Sequence, residues 1–356
     1  MNQKQIYAIH IYILMIISTG FTVHVLGVPA LLTVAKRDAW ISTICSSIPV
    51  VIWMLLVFYL YKKLNNDDII SFLQKTLSKW AFSIFAILSC IFFLSNAFIT
   101  LKFTLYWAKA NYTQDIPDFV VILLFSFICY YSAAKGLRTI SVVALVLLPL
   151  VVFFGFLVGL GNMPNKNYEL LFPIFENGYK SFFLGLTYAS TTIFEVFFIL
   201  YLTSELKDKL KLKWLIVVVM ILVELSFGPL VGAIAEFGSV EAEKMRNPAY
   251  EEWKLLTIGQ HITRLDFLSI FQWLSGAFIR VSISLFISAK LFSYNKKKKW
   301  VLPVLCVLLF IAACINWDAT SLLNYSLKVY YPISRIFEIC TMLFLLLVVM
   351  VKGDKQ

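Results

Sequence analysis

Ten long runs of apolar residues dominate this chain of 356 residues. A helix that crosses a bilayer needs about 20 mainly apolar residues, and each run approaches or exceeds that length. The runs do not alternate between apolar and polar residues, so they predict helices and not the strands of a membrane barrel. The ten segments lie at about 6–33, 39–61, 80–107, 117–134, 139–160, 181–203, 212–235, 267–290, 300–316 and 332–351.

The composition excludes a water-soluble fold. Hydrophobic residues make up 60% of the chain and charged residues 14%, whereas soluble domains have about 45–50% and 25%. The net charge of +11 lies in short segments between the apolar runs, so it does not form the basic face of a nucleic-acid-binding protein. We therefore expect an all-α polytopic membrane protein in a lipid bilayer, with no nucleic acid partner.

Lysine and arginine residues predict the orientation of the helices. With ten crossings, the loops on the side of the N-terminus carry 18 of these residues and the other loops carry 10. This bias follows the positive-inside rule, so we expect both termini in the cytoplasm. The longest loop, about 236–266, then lies outside, and the spacing of Leu255, Ile258, Ile262 and Leu265 predicts an amphipathic helix in it.

No cluster of catalytic or metal-binding residues is visible in the sequence. His10, His24 and His261 lie far apart in the sequence, and the chain has no HExxH, GxSxG or P-loop motif. We therefore expect no enzyme activity, no catalytic residues, no metal and no cofactor.

The ten segments divide into two halves of five, about 6–160 and 181–351, within one permease-like domain that covers 1–356. A half with five helices starts on one side of the membrane and ends on the other, so the second half is inverted relative to the first. Helix 1 contains Gly20, Gly27 and Pro29, and helix 6 contains hydroxyl residues before Glu195. Two interpretations stay open for both helices: an interrupted backbone that faces a cavity, or a kinked helix whose hydroxyls bond to their own backbone.

Six ionisable residues lie inside the predicted spans, where a central charge costs about 2.5–3.5 kcal/mol. Arg335 and Glu338 are three residues apart on one helix, so we expect them to pair with each other. We expect Lys102 to reach the membrane surface along its flexible stem. The other three ionisable residues should face the protein interior, as an ion pair or as ligand and proton groups: Glu195, Glu224 and Arg280.

Several motifs resemble those of the spore germination permeases, the B subunits of endospore germinant receptors in the amino acid–polyamine–organocation superfamily. Lys36-Arg37-Asp38-Ala39-Trp40 is similar to the family's GRDAW signature, with lysine in place of glycine. Further similar segments are Leu171-Phe172-Pro173 followed by Gly178, Asn247-Pro248, Arg264-Leu265-Asp266 and Gln272-Trp273.

This resemblance implies a LeuT-like fold whose helices 1 and 6 bracket a central pocket for a small germinant, such as an amino acid, sugar or nucleoside. It also implies a membrane A subunit and a lipoprotein C subunit as partners, in the spore inner membrane. The alternative is a proton- or cation-coupled amino-acid transporter. The candidate ligand-binding residues are Thr19, Gly20, Phe21, Thr22, Asn96, Thr100, Tyr188, Ser190, Thr191, Glu195, Trp273 and Arg280.

Overall fold

The computed structural model describes residues 6–64, 67–259, 262–292 and 300–352. His261 lies outside the described residues, as do six of the lysines counted above for the side of the N-terminus: Lys4, Lys296 to Lys299 and Lys355. All ten predicted segments are helical, and we number them helix 1 to helix 10.

Helices 3, 4, 5, 7, 8 and 9 are single α-helices over Lys79–Asn111, Asp118–Lys135, Leu137–Gly161, Leu212–Phe237, Leu268–Phe292 and Val301–Cys314. Helix 1 consists of Ala8–Phe21, a π-helical segment Thr22–Gly27, and Val28–Ala35. Helix 2 consists of Ala39–Cys45 and Ser47–Lys63, and helix 6 of Gly178–Phe194 followed by the 3-10 segment Glu195–Tyr201. Helix 10 consists of Ala319–Tyr325, a π-helical segment Ser326–Tyr330, and Tyr331–Lys352.

Eight helices of the described chain are long and apolar enough to cross a membrane. Helix 9 is apolar but has only 14 residues, or about 21 Å at the α-helical rise. The second predicted segment is divided at Ser46, between Cys45 and Ser47. The ten predicted helices therefore all exist. Helix 9 is shorter, and helix 2 is more divided, than the hydropathy pattern indicates.

Glycines with positive φ end two of the helices. Gly136, at φ 97°, separates helix 4 from helix 5, and Gly238, at φ 77°, follows the last residue of helix 7. This backbone region is unfavourable for residues with a Cβ atom, so glycine allows the chain to turn sharply at the membrane surface.

Helices 1, 3, 6 and 8 form the centre of the bundle. Helix 8 packs against helices 1, 3, 4 and 5. In the most apolar stretch of the run that contains helix 1, 83% of the residues are buried, against 11% for helix 5. Apolar side chains on the outer helices, such as Val146 and Phe156, are exposed, which is the pattern that a surrounding bilayer requires.

The N-terminal residues mark one end of the bundle, which we call the N-terminal end. The Ile6 amide donates to the Glu205 carbonyl at 3.2 Å, and the Lys207 amide donates to the Ile6 carbonyl at 2.8 Å. The Ala8 amide also donates to Asp208 at 2.6 Å. These bonds tie the start of helix 1 to the segment between helices 6 and 7.

The loop between helices 7 and 8 lies at the opposite end. It contains two short helices, Ser239–Lys244 and Pro248–Leu255. The prediction of an amphipathic helix through Leu255 and Leu265 is wrong, because the chain leaves the helix after Leu255 and forms a bridge between Ile258 and Ile262. The loop helix begins instead at Pro248, about two turns before Leu255. Proline is favourable there because the first residue of a helix needs no partner for its N–H group.

Candidate functional site

An ion pair between Glu195 and Arg280 lies at the centre of the bundle. Both side chains are buried, with 7% and 2% of their surface exposed. The Arg280 Nε donates to the Thr100 hydroxyl at 2.9 Å, and its Nη2 donates to the Tyr330 hydroxyl at 3.2 Å. The Thr22 hydroxyl donates to Glu195 Oε1 at 2.9 Å. The pair therefore connects helices 1, 3, 6, 8 and 10.

Helix 1 changes from α to π geometry beside this pair. Pro29 is the second residue after the π-helical segment, and its ring nitrogen cannot donate to the carbonyl one turn earlier. A Cβ atom on Gly27 would lie 3.3 Å from Thr192 of helix 6, so glycine lets the two helices approach closely. The Tyr331 hydroxyl of helix 10 donates to the Leu26 carbonyl at 2.8 Å and satisfies a backbone group of the segment.

Helix 6 changes from α to 3-10 geometry at Glu195. The hydroxyls of Ser190 and Thr191 donate to backbone carbonyls one turn earlier, each at 2.8 Å, which is a pattern that bends helices. The Phe194 carbonyl accepts a bond from the Trp53 indole of helix 2 at 2.8 Å. Neither helix 1 nor helix 6 unwinds, so the predicted interruption takes the form of a change in helix type at mid-span.

A small cavity lies next to the ion pair. Its volume is about 10 Å³, close to the space that one water molecule needs. Nine residues from helices 1, 3, 6 and 10 line it: Thr22, Asn96, Thr191, Thr192, Glu195, Tyr330, Tyr331, Ser334 and Glu338. In this closed arrangement the cavity accommodates one small chemical group, so a larger ligand requires the helices to separate.

Four of the residues singled out from the sequence line this cavity, namely Thr22, Asn96, Thr191 and Glu195. Thr100 and Arg280 lie one hydrogen bond away. The remaining six predicted residues are helical neighbours that do not line it: Thr19, Gly20, Phe21, Tyr188, Ser190 and Trp273.

These six residues have other surroundings. A Cβ atom on Gly20 would lie 3.2 Å from Leu225 of helix 7, so this glycine faces a helix contact. Phe21 packs edge to face on Trp273 at 6.0 Å between ring centroids, and the Trp273 indole donates to the Thr104 hydroxyl at 3.2 Å. The Tyr188 hydroxyl donates to the Leu327 carbonyl at 2.7 Å.

The contribution of helix 10 to the cavity was not predicted from the sequence. Tyr330, Ser334 and Glu338 follow one another at intervals of four residues, which places them on one face of a helix. This regular spacing of polar residues in the sequence could have predicted that one face of helix 10 points to the cavity. The Tyr330 hydroxyl also donates to the Asn96 amide oxygen at 2.8 Å, which joins helix 10 to helix 3.

Three expectations about intramembrane charges are wrong. Glu224 is exposed on helix 7 and does not face the interior. Among the residues described, no ion pair joins Arg335 to Glu338, and Glu338 turns inward to the cavity. Lys102 is only 3% exposed, and its ammonium group donates to the carbonyls of Ala313 and Ile315 at 3.0 and 2.9 Å. It thus stabilises the C-terminal end of helix 9.

Buried charges also lie at the N-terminal end of the bundle. The Lys290 ammonium of helix 8 contacts Asp68 at 2.6 Å and Glu205 at 3.6 Å, and it donates to the Tyr201 carbonyl at 3.0 Å. Burial by itself raises the pKa of Asp68, but the attraction of Lys290 and the hydrogen bonds to the carboxylate outweigh it and lower this pKa. This cluster joins helices 6 and 8 to the segment that precedes helix 3.

At the opposite end, two buried carboxyl groups lie near one lysine. The Lys166 ammonium lies 3.7 Å from Glu236 Oε1, and Glu252 packs against Gly232, one turn before Glu236. Burial, followed by the nearby charge of Glu236, raises the pKa of Glu252 well above its usual value, although Lys166 opposes the shift. The loop between helices 7 and 8 therefore buries a carboxyl group that favours its neutral form.

The central geometry contains a buried ion pair, a surplus carboxyl group and several hydroxyls. Among the described residues, no three histidines, cysteines, aspartates or glutamates lie close enough to hold a metal ion. Such an arrangement can recognise a small polar solute by charge and hydrogen bonding.

Comparison with known proteins identifies the family. The model of a family described as "Spore germination protein", a spore permease family, matches residues 7–322. The chain is also 34% identical over 350 residues to spore germination protein XB of Bacillus anthracis, covering 97% of this chain and 98% of that protein. The chain belongs to the spore germination protein family. The predicted resemblance is thus confirmed, and this germination protein is a multi-pass membrane protein of a permease family, which is not a class of enzymes.

The fold of this germination protein is similar to that of MhsT, solved in complex with L-phenylalanine. The TM-score is 0.67, and the match covers 95% of this chain and 89% of MhsT at 10% sequence identity. At this low identity the similarity concerns the fold alone. The predicted all-α, LeuT-like fold is confirmed, and the germination protein is transporter-like in architecture.

Proposed function

We propose that this protein is a subunit of a nutrient germinant receptor that binds a small germinant in the central cavity. The observation that carries the proposal is the buried Glu195–Arg280 pair beside a polar cavity, at the place where helices 1 and 6 leave α geometry. Intramembrane charges are costly and are typically retained at functional sites. Membership of the spore germination protein family supports the role in germination.

The ligand site includes the cavity and the side chains directly behind it. Thr22, Thr191 and Glu195 supply groups from helices 1 and 6, and Asn96 supplies an amide from helix 3. Thr100 and Arg280 position these groups through hydrogen bonds. The other candidates lie outside this lining and pack between the helices around it: Thr19, Gly20, Phe21, Tyr188, Ser190 and Trp273.

Signalling requires two arrangements of the bundle with different affinities for the germinant. A ligand shifts such an equilibrium only by the difference between these affinities. We assign the structure to one of these two arrangements, the closed one. Its cavity has a volume of only about 10 Å³, and charge clusters connect the helices at both ends of the bundle. Germinant binding would favour the other arrangement, and the change would pass to the A and C subunits.

An exposed carboxyl group on helix 7 supports a partner within the membrane. Glu224 lies near the middle of Leu212–Phe237, next to the exposed side chains of Met220 and Ile221. Within the described chain, Glu224 has no hydrogen bond or ion pair. A charge in this place costs about 2.5–3.5 kcal/mol unless it is compensated. We therefore assign this face of helix 7 to a helix of the A subunit that carries a basic or hydrogen-bonding side chain.

The proposed location is the spore inner membrane, with both termini on the spore-core side. The positive residues near the N-terminal end of the bundle support this orientation through the positive-inside rule. In that orientation the loop between helices 7 and 8 faces outward, where a germinant arrives.

Germination assays test the proposal directly. The strain for this test lacks all other nutrient receptors and carries this gene together with its A and C partners. Its spores are exposed to a panel of amino acids, sugars and nucleosides. We expect a response to at least one nutrient that disappears when this gene is deleted. Absence of any response to the whole panel, with normal accumulation of the protein, contradicts the proposal.

A matched pair of variants tests the site. Thr191→Val removes a hydroxyl that lines the cavity, whereas Thr187→Val removes one that is four residues earlier on helix 6 and lies outside it. We expect Thr191→Val to raise the nutrient concentration needed for germination and Thr187→Val to leave it unchanged. Equal responses would place the ligand elsewhere.

Flux measurements separate the sensor from the transporter alternative. The purified protein is reconstituted in vesicles with the nutrient that triggers germination. We expect binding without net uptake. Uptake that depends on a proton or cation gradient would instead support the coupled transporter, which the similarity of the fold to MhsT permits.

A further inference from the structure

The central site contains one more carboxyl group than it has cations. Glu338 is 1% exposed and lines the same cavity as Glu195. Its Oε2 atom has no hydrogen-bond partner in the described structure. The guanidinium group of Arg280, next to the cavity, already bonds to Glu195, Thr100 and Tyr330.

Burial makes this imbalance costly. An isolated carboxylate in a low-dielectric interior is strongly unfavourable unless a positive charge or several donors compensate it. Because Arg280 is engaged by Glu195, a proton neutralises Glu338 in the closed arrangement. The site is therefore prepared for a group that brings a positive charge.

The shape and chemistry of the cavity select among positive groups. The volume of about 10 Å³ fits one small group, so a compact ammonium requires less widening of the cavity than a planar guanidinium does. Hydroxyl oxygens of Thr191, Tyr331 and Ser334 surround the cavity together with the carboxylate. A primary ammonium is compact and has three donors, so it can bond to the carboxylate and to two of these hydroxyls at once.

We propose that Glu338 receives a primary ammonium group of the germinant. This inference rests on the proposed function, and it adds the chemical class of the ligand: a small solute with a protonated amine. Binding transfers the proton of the Glu338 carboxyl group to the solvent, and the R–NH3⁺ group takes its place, so that charge is conserved. The charged and titratable groups near Glu338 are Glu195 of helix 6, Arg280 of helix 8, and Arg335, Tyr330 and Tyr331 of helix 10.

The experiment measures binding to the purified full-length protein in lipid nanodiscs by calorimetry. The probes are pairs that differ only in the charged amine: L-alanine and L-lactate, and L-valine and L-2-hydroxyisovalerate. Glucose and inosine serve as neutral probes, and NaCl against KCl tests a metal cation. We expect an amine probe to bind at least about 10-fold more tightly than its hydroxyl analogue, because hydrogen bonds between charged groups are stronger than those between neutral groups.

Variants assign the difference to one carboxyl group. Glu338→Gln should weaken binding of the amine probe by about 10-fold or more and leave the hydroxyl analogue unchanged. Glu224→Gln is the matched control, since it neutralises an intramembrane glutamate that lies outside the cavity, and it should leave both affinities unchanged. If Glu338→Gln does not fold, Glu338→Asp retains the charge but withdraws it by one methylene group, and it should show the same selective loss.

Four outcomes overturn the inference. They are equal binding of amine and hydroxyl probes, an unchanged preference in the Glu338 variants, binding of glucose or inosine alone, and saturable binding of Na⁺ without any amine. In the first three cases the proposed ligand-binding function still stands. Failure of every probe to bind the folded wild-type protein would refute that function as well.

Discussion

Replacement of Arg280 by methionine is the sharpest test of the central ion pair. Methionine keeps much of the side-chain volume but removes the positive charge, so that Glu195 remains buried with only the Thr22 hydroxyl as its assigned donor. Removing one member of a buried pair typically costs about 3–5 kcal/mol. Here both side chains are less than 10% exposed, so solvent cannot replace the lost partner. We expect a loss in this range, or a fall in the unfolding midpoint on the order of 10 °C.

A double-mutant cycle separates the pair from its surroundings. Glu195→Gln alone leaves Arg280 uncompensated and should also destabilise the protein. The combined variant, Arg280→Met with Glu195→Gln, should be clearly more stable than the sum of the two single changes indicates, because neither charge is then left alone. The assay is equilibrium unfolding in mixed detergent micelles, followed by tryptophan fluorescence.

The coupling energy between Arg280 and Glu195, obtained from this cycle, tests whether the uncompensated charge causes the loss of stability. Polar contacts between membrane helices average about 0.6 kcal/mol in such cycles. A coupling of about 2 kcal/mol or more supports a buried, uncompensated charge as the cause of the loss. A coupling at or below the average would refute the reasoning and indicate that Glu195 is neutral or solvated in the wild-type protein.

Lys102 provides a comparison within the same protein. It is as buried as Arg280, but its ammonium group bonds to the neutral carbonyls of Ala313 and Ile315. Lys102→Met therefore leaves no charge unpaired, and we expect a loss of about 2 kcal/mol, smaller than for Arg280→Met. If Lys102→Met loses as much stability as Arg280→Met or more, the pairing of charges does not determine which substitution is more destabilising.

Three further predictions concern the two ends of the bundle, and thermal unfolding in detergent at several pH values measures all of them. Lys36 has a φ of 53°, so Lys36→Gly should stabilise the protein by about 1 kcal/mol, whereas Ala35→Gly, at an ordinary φ of −110°, should destabilise it. The lowered pKa of Asp68 means that its ionised form favours the folded state. The wild-type advantage over Asp68→Asn should therefore be present above the ordinary aspartate pKa of 3.8 and disappear as the pH falls through the lower folded value. The raised pKa of Glu252 has the opposite effect on the pH dependence of stability. The folded state keeps a proton that the unfolded chain loses above pH 4.5. Glu252→Gln should match the wild type near pH 4 and exceed its stability at pH 8 by about 1 kcal/mol or more.

Each of these predictions has a clear contrary result. If Lys36→Gly and Ala35→Gly change stability in the same direction, backbone strain at Lys36 is absent. A constant difference between wild type and Asp68→Asn across pH 2–8 would mean that the charge of Asp68 does not contribute. A lower stability of Glu252→Gln at pH 8 would mean that Glu252 is ionised and paired in the folded protein.

The pattern of apolar runs was sufficient to predict the helices, because a bilayer forces every backbone polar group into internal hydrogen bonds. Hydropathy could not show that Ser46 divides helix 2 or that helix 9 has only 14 residues. Such boundaries depend on local backbone contacts. The position of Pro29 and the cluster of hydroxyls before Glu195 did indicate where helices 1 and 6 depart from α geometry.

The direction in which each intramembrane charge points could not be predicted from the sequence. Glu195 and Glu224 are both near the middle of a helix, yet one is buried against Arg280 and the other is exposed. Glu338 is close enough to Arg335 in sequence to pair with it, and it points to the central cavity instead. The rotation of a helix about its axis is set by its neighbours, and local spacing contains little information about it.

The amino-acid sequence alone determined that the chain resides in a membrane as a bundle of helices, since burial in lipid depends on composition and length. It also carried the short motifs that placed the chain in its family. Only the tertiary structure decided that helix 10 contributes Glu338 to the cavity and that Arg280 bonds to Glu195. Those contacts join residues from 50 to more than 200 positions apart, and only the packing of helices in three dimensions brings them within hydrogen-bond distance.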